Sequence, residues 1–315
     1  MKVLITGGTG YLGSRIAEYF ANNTRNFITL GTRKSINCVK WLPQARVVKT
    51  IWSSSSELEE NCKDIDVIIH LAGMNSIDCL NNPLSALKVN GLSTAQLLNT
   101  AIKQNVKRFI YLSTAHVYEK PLAGKITEKS LANNLHPYAS SHKAGEDSVL
   151  FAHSNGNIDG IVVRLTNAFG SPLNSKANCW TLVTNDLSKQ SIKSSKMIIN
   201  SSEMQRRDFI SINNVCRAIE HLIKIPSNNL DNGLFNVGGE WTPTILEIAK
   251  IIAERSNFLL DKEIRIETPN LINKSKPLDL NYDISKLKST GFSLIDDRKK
   301  EFDDLIYSCN SWFGA

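Results

Sequence analysis

Short apolar runs that end in polar or glycine-containing turns alternate with stretches of helical periodicity along the first half of the chain. Lys2-Val3-Leu4-Ile5-Thr6, Phe27-Ile28-Thr29-Leu30 and Arg46 to Ile51 have the length and β-branched content of strands. Asp66 to Gly73 and Arg108 to Thr114 are close to continuously apolar, as parallel strands covered on both faces are. Between these runs the period changes. Leu12, Ile16, Tyr19 and Phe20 recur at helical spacing, and the pattern returns through Ala86–Asn90 and Ala95–Asn99. Serines followed by acids over Ser53 to Glu60 predict a capped helix start. Ile161 to Leu165 predicts a further buried strand, and Gly233 to Gly239 a strand and turn returning to the same sheet. Strands and helices in this rhythm predict an α/β fold with a doubly wound parallel sheet and a ligand beyond the carboxyl ends of its strands. The segments 166–208 and 239–315 are less regular and richer in Asn, Ser and Lys. They predict a smaller lobe interleaved with a sheet domain of residues 1–165 and about 209–238.

Composition changes this picture little. A chain of 315 residues has ample core, and it shows no terminal apolar signal or long apolar span, so a soluble, cytoplasmic protein without membrane contact is expected. The six cysteines are scattered without a C-x-x-C pair, and the histidines do not share ligand spacing on any one element, so no metal is expected. Net charge is +7, from 37 basic and 30 acidic residues, with no dense basic run interleaved with aromatics. Nucleic acid is therefore not implied, whereas a small anionic substrate fits.

The turn after the first strand adds specific chemistry. Gly7, Gly10 and Gly13 are spaced to tighten the turn, bring backbone N–H groups to a diphosphate and pack the next helix on the strand, with Tyr11 and Leu12 opening that helix. With strand and helix in place, this predicts a dinucleotide-binding βαβ unit. An acid closing the second strand would accept from the adenosine ribose; instead Arg33 and Lys34 follow it, about 20 residues beyond the last glycine. A guanidinium pairs with a 2′-phosphate, so NADP(H) is favoured over NAD(H).

Further motifs accompany the turn: His70-Leu71-Ala72-Gly73, Val89-Asn90 ahead of Thr94, Ser113-Thr114-Ala115-His116-Val117-Tyr118, Pro137-Tyr138-Ala139-Ser140-Ser141, Arg164 to Gly170 and Arg207-Asp208-Phe209-Ile210. With them the chain resembles the extended short-chain dehydrogenase/reductase family, in particular its nucleotide-sugar epimerases, dehydratases and ketoreductases, over nearly its whole length. The resemblance implies a Rossmann-type fold and hydride transfer between a nicotinamide and a sugar carbon. Tyr138 would then be the acid/base and Thr114 the hydroxyl that orients the same oxygen. It places Leu71, Ala72, Gly73 and Asn90 at the cofactor with the glycine turn. Thr114, Ala115, His116, Asn167, Arg207 and Lys276 fall at a nucleotide-sugar substrate. It also implies a homodimer through helices beginning near Asn82 and Tyr138.

Two departures from the family pattern bear on the chemistry. The fourth residue after Tyr138, where the family has lysine, is His142, with Lys143 one position later and rotated off that face. Three roles are open for His142: a hydrogen bond to the cofactor ribose with tyrosinate stabilisation when protonated, an acid/base for an unusual substrate, or the mark of a weakly active or inactive relative. The first is favoured because Tyr138 and Thr114 are retained. Secondly, dehydratases resemble one another in carrying Thr-Asp-Glu after this strand; here Thr114-Ala115-His116 supplies no carboxyl pair, which leaves epimerisation or reduction of a keto-sugar. A reductase of a non-nucleotide ketone is the remaining alternative and would not need Asn167 or Arg207. Phe169 and Cys179-Trp180 are candidates either for walls around the nucleotide base or for core.

Overall fold

A computed structural model describes residues 1–200, 202–268 and 278–314. Its centre is a seven-stranded sheet: β1 (Lys2–Thr6), β2 (Phe27–Thr32), β3 (Arg46–Lys49), β4 (Val67–His70), β5 (Arg108–Thr114), β6 (Asp159–Leu165) and β7 (Leu234–Val237). The order across the sheet is β7-β6-β5-β4-β1-β2-β3, with every pair parallel. Alternate residues of each strand feed different faces. Val3, Ile5, Ile69 and Val163 pack with Ile16, Phe20 and Ile219 on one side. Leu4, Ile68, Phe109 and Val162 pack with Leu97, Leu98 and Val149 on the other. Coverage on both sides is why β4 is buried at every position and why these strands read as continuous apolar runs. Strand order reverses between β1 and β4, so a crevice opens beyond their carboxyl ends.

Two elements differ from the sequence expectation in ways that shape the site. β2 continues through Gly31 and Thr32, because Gly31 pairs with Thr6 of β1 and Val48 of β3, and a Cβ there would come within 2.9 Å of Thr50 Oγ1. The helical pattern after Ala86 begins as a π-helical turn, Leu87–Leu92, before the α-helix Ser93–Lys103. A widened turn shifts the side-chain phase. It buries Asn90 and lays Gly91 against the helix Pro137–Ser154, where a Cβ would meet Ala144 Cβ at 3.3 Å.

Outside the main sheet, three parallel two-stranded pairs form: Asn167–Phe169 with Phe209–Ser211, Lys196–Ile198 with Arg265–Glu267, and Gly124–Ile126 with Leu280–Tyr282. Phe169, Phe209, Ile248 and Phe302 make a separate apolar cluster, which joins the first of these pairs to the helices Ile245–Leu260 and Arg298–Phe313. Asn167 and Arg207, which flanks Phe209 at one residue's remove, are thereby set at the edge of the sheet crevice.

Candidate active site

The turn after β1 is shaped for close backbone approach. Gly7 has φ +67°, and a Cβ on it would sit 3.0 Å from Ala72 N. A Cβ on Gly13 would lie 2.9 Å from Gly8 Cα and closer still to Gly7 O, so the helix could not seat on the turn. Gly10 is the N-cap of the helix Tyr11–Asn23, with no side chain capping it and no acid in the first turn. Its first amides therefore present partial positive charge to the crevice. Leu12 is half-buried in that turn, whereas the Tyr11 side chain points inward and donates from its hydroxyl to Gly170 O (2.9 Å), with Asn185 Oδ1 3.3 Å away. Only the main chain of Tyr11 borders the turn. Across the crevice, Leu71, Ala72 and Gly73 follow β4, and Thr6 Oγ1 accepts from Ala72 N at 3.4 Å. Asn90 stands behind them as a tie: its Oδ1 accepts from Met74 N (2.8 Å) and its Nδ2 donates to Ser141 Oγ (3.0 Å). Arg33 and Lys34 are exposed just past the end of β2.

Tyr138 and His142 project from one face of the helix Pro137–Ser154, their ring centroids 4.6 Å apart. Pro137 stands in the first turn, and His136 Nδ1 caps it by accepting from Tyr138 N at 3.2 Å. The helix is fastened to the sheet by a buried ion pair. Arg164 of β6 donates to Glu146 from Nη2 (2.6 Å) and Nε (3.0 Å), and Ser113 Oγ donates to the same carboxylate at 2.6 Å. Lys143 is rotated to the outer side, where it pairs with Asp147. Thr114 closes β5 beside Tyr138, its Oγ1 accepting from His116 N at 3.1 Å. Burial pushes the Tyr138 phenol up to about 12, against a smaller downward pull from Thr114. His142 is buried, with Nδ1 2.8 Å from the Tyr111 hydroxyl, and burial followed by repulsion from His116 pushes its pKa down to about 3. The neutral imidazole is thus the favoured form, and the protonated partner of a tyrosinate expected from the sequence is the form this environment resists.

Beyond Thr114 the crevice widens into a pocket bordered by Ala115, His116, Asn167, Arg207 and Tyr282. Asn167 Nδ2 donates to Asp208 O at 2.8 Å. Arg207 forks onto Gln205 Oε1 (3.1 and 2.8 Å), and burial, with no acidic group among the described residues opposing it, pulls its pKa down. Such a cation favours an incoming anion. His116 keeps part of its ring open to the pocket, but protein crowds the rest, and desolvation with the Arg207 and Lys120 charges pushes it down to about 4. Its ring meets Tyr138 edge-on at 6.1 Å. Lys276 lies outside the described residues. Phe169 packs on Phe302 and Trp241, Cys179 is buried beside Asn185, and Trp180 packs on Phe313. The first two are core; Trp180 is half-buried in the C-terminal packing.

Sequence reasoning passed over Glu146, Tyr111 and Asp208 as parts of the site. A signal existed for the first, since Arg164 interrupts an apolar run and a buried guanidinium requires an acid. Asp208 accepts from Thr166 Oγ1 (2.6 Å), Gly239 N (2.8 Å) and Trp241 N (3.2 Å), which ties the loop after β7 to the pocket wall; burial still pushes it up to about 7. Among the described residues no group of His, Cys, Asp and Glu is placed to hold a metal, and no helix is long and apolar enough to cross a membrane.

A sequence model of the NAD dependent epimerase/dehydratase family matches residues 3–238. A putative UDP-glucose 4-epimerase of Methanocaldococcus jannaschii is 26% identical over 264 residues, covering 81% of this chain and 83% of the relative. UDP-glucuronic acid decarboxylase 3 of Arabidopsis thaliana is 26% identical over 301 residues, covering 91% and 82%. The solved structure of UDP-glucuronic acid 4-epimerase from Bacillus cereus, in complex with UDP-glucuronic acid and NAD, superposes with a TM-score of 0.80 at 20% identity over 99% of each chain. The sheet order, the glycine turn at its switch point and the match over residues 3–238 agree: the chain belongs to the NAD-dependent epimerase/dehydratase family, the extended short-chain dehydrogenases/reductases.

Proposed function

We propose that the protein epimerises a nucleotide-diphosphate sugar, or reduces its 4-keto form, with Tyr138 moving the proton. One arrangement carries this reading: Tyr138 and His142 share a helix face with Thr114 beside Tyr138, His142 Nε2 lies near Gly73 and so near the glycine turn that Ala72 abuts, and Asn167 and Arg207 line the pocket that begins at Ala115 and His116. The donor set fits a dinucleotide, with uncapped helix amides for the diphosphate and glycines where side chains would intrude. When bound, that cofactor supplies or accepts the hydride at the sugar carbon. In reduction Tyr138, protonated through neutral pH, hydrogen-bonds the sugar oxygen and gives up its proton as charge develops there; in epimerisation its phenolate form first takes the hydroxyl proton as hydride leaves the carbon, and returns it when hydride comes back to the opposite face. Thr114 orients the same oxygen, and Asn167 and Arg207 hold the diphosphate. Ala115 and His116 provide no carboxyl pair beside Tyr138, which argues against dehydration.

Arg33 and Lys34, exposed beyond β2, favour NADP(H) over NAD(H). Residues 166–208 and 239–315 form the sugar-binding lobe in this reading. Leu84, Leu87, Leu92 and Phe151 are each at least half exposed on the helices through which the family pairs, which supports a homodimer; a monomeric mass by light scattering would remove it. Thermal shifts with UDP, dTDP, GDP and CDP test the substrate class. Stabilisation by one of them is expected, and none by any would leave a non-nucleotide ketone as the substrate. A second reading, a relative that binds but turns over poorly, is favoured by the neutral His142. Nucleotide-sugar binding with no turnover across a sugar panel and both cofactors would select it.

A further inference from the structure

Tyr111, in the middle of β5, is buried with its ring between two imidazoles, 5.6 Å from His70 and 5.7 Å from His142, both near parallel. Its hydroxyl reaches His142 Nδ1 at 2.8 Å and Asn90 O at 3.3 Å. Gly145 gives the hydroxyl room, since a Cβ there would stand 2.8 Å from it. A phenol has one proton to donate. Asn90 O lies farther away, beyond the usual range of an O–H···O bond, so the shorter contact, to Nδ1, receives the Tyr111 proton. A neutral imidazole that accepts at Nδ1 carries its own proton on Nε2. That nitrogen is on the crevice side, 3.9 Å from the position a Cβ on Gly73 would take.

We propose that Tyr111 locks His142 in the Nε2–H tautomer, so that the position holds a neutral hydrogen-bond donor aimed into the crevice beside Gly73. Tyr111 is a positioning residue, acting only through His142. What the donor meets, the cofactor ribose, rests on the function proposed above; the tautomer does not. The titratable groups around His142 are Tyr138 on its own helix, Tyr111 from β5, His116 from the turn after β5, Cys79 from the helix Ser76–Asn81 and His70 beyond Tyr111. Glu146, one turn further along the same helix, is the carboxylate of this region, and Arg164 and Ser113 hold it, so it is satisfied without a second proton on the ring.

Long-range proton–nitrogen correlation spectra of the full chain labelled with 15N-histidine read the tautomer directly, with His142 assigned by its loss in His142→Gln. The expected spectrum has an unprotonated Nδ1 and a protonated Nε2, unchanged from pH 5.5 to 8. In Tyr111→Phe the two nitrogens should shift toward a mixture of tautomers, and NADPH or NADH affinity, followed by fluorescence, should fall roughly 3- to 10-fold. An Nδ1–H tautomer in the wild type would overturn the proposal, as would a Tyr111→Phe spectrum that keeps the wild-type tautomer. If Tyr111→Phe does not fold, the wild-type spectrum decides by itself. These spectra need no substrate, so a failure to bind nucleoside diphosphates would end the functional reading and leave this result standing.

Discussion

An ammonium one helical turn from Tyr138 would stabilise a phenolate; the imidazole at position 142 brings no charge, and the phenol stays near 12. His142→Lys restores the cation on the same face. Activity should persist, and the limb of the pH–rate profile that belongs to Tyr138 should move to lower pH by about 1 unit or more. An unaltered profile would take position 142 out of the proton chemistry. The other informative residue is Arg33, exposed past the end of β2. Arg33→Ala should weaken NADPH binding about 10-fold, the scale of one charge-assisted contact, and leave NADH binding unchanged. Equal losses for both cofactors would count against a 2′-phosphate site.

At the scale of elements, the helix Pro137–Ser154 sets the geometry, and one buried ion pair sets the helix. Glu146 is fully buried and Arg164 nearly so, joined by a two-pronged contact with Ser113 as a third partner. Glu146→Ala leaves a guanidinium buried without its acid and should lower stability by about 3–5 kcal/mol, measurable by urea unfolding. Replacing both partners with apolar residues should recover much of that loss. The strand was visible as an apolar run and the helix came with the family resemblance, yet their pairing was not visible, because Glu146 and Arg164 belong to elements whose contact arises only when β6 adds beside β5. The π-helical turn at Leu87–Leu92 was likewise illegible, since it follows from packing against the helix Pro137–Ser154 rather than from local propensity.

For the whole molecule, buried titratable groups tie stability to pH. His70 and His142 have folded pKa values of about 3 against a usual 6.5, so the unfolded chain takes up their protons first. Their contribution is complete above pH 6.5 and is lost as pH falls through that value toward 3. Each costs about 2 kcal/mol between pH 7 and pH 5. Asp208, raised to about 7, has the opposite sign: it favours the folded state increasingly as pH falls through 7, and it offsets part of the loss. The comparison of variants is therefore the clean measurement. Urea unfolding of His142→Gln at the two pH values should show about 2 kcal/mol less acid destabilisation than the wild type, and an equal loss in both would mean that His142 is not held neutral.

The amino-acid order by itself determined the alternation of strands and helices, the parallel sheet with its crevice and the glycine turn, because hydrophobic period and φ-permissive residues act within a few positions of the chain. It also singled out Tyr138 and His142, which share a helix face beside Thr114, and Asn167 and Arg207, which border one pocket. Only the tertiary structure decided that Tyr11 turns its hydroxyl inward to Gly170, that Phe169 is core, and that Tyr111 stands behind His142. It also decided that burial keeps that imidazole neutral. Each of these depends on which residue from a distant segment arrives alongside and on how much water it displaces, and neither quantity is written in local spacing.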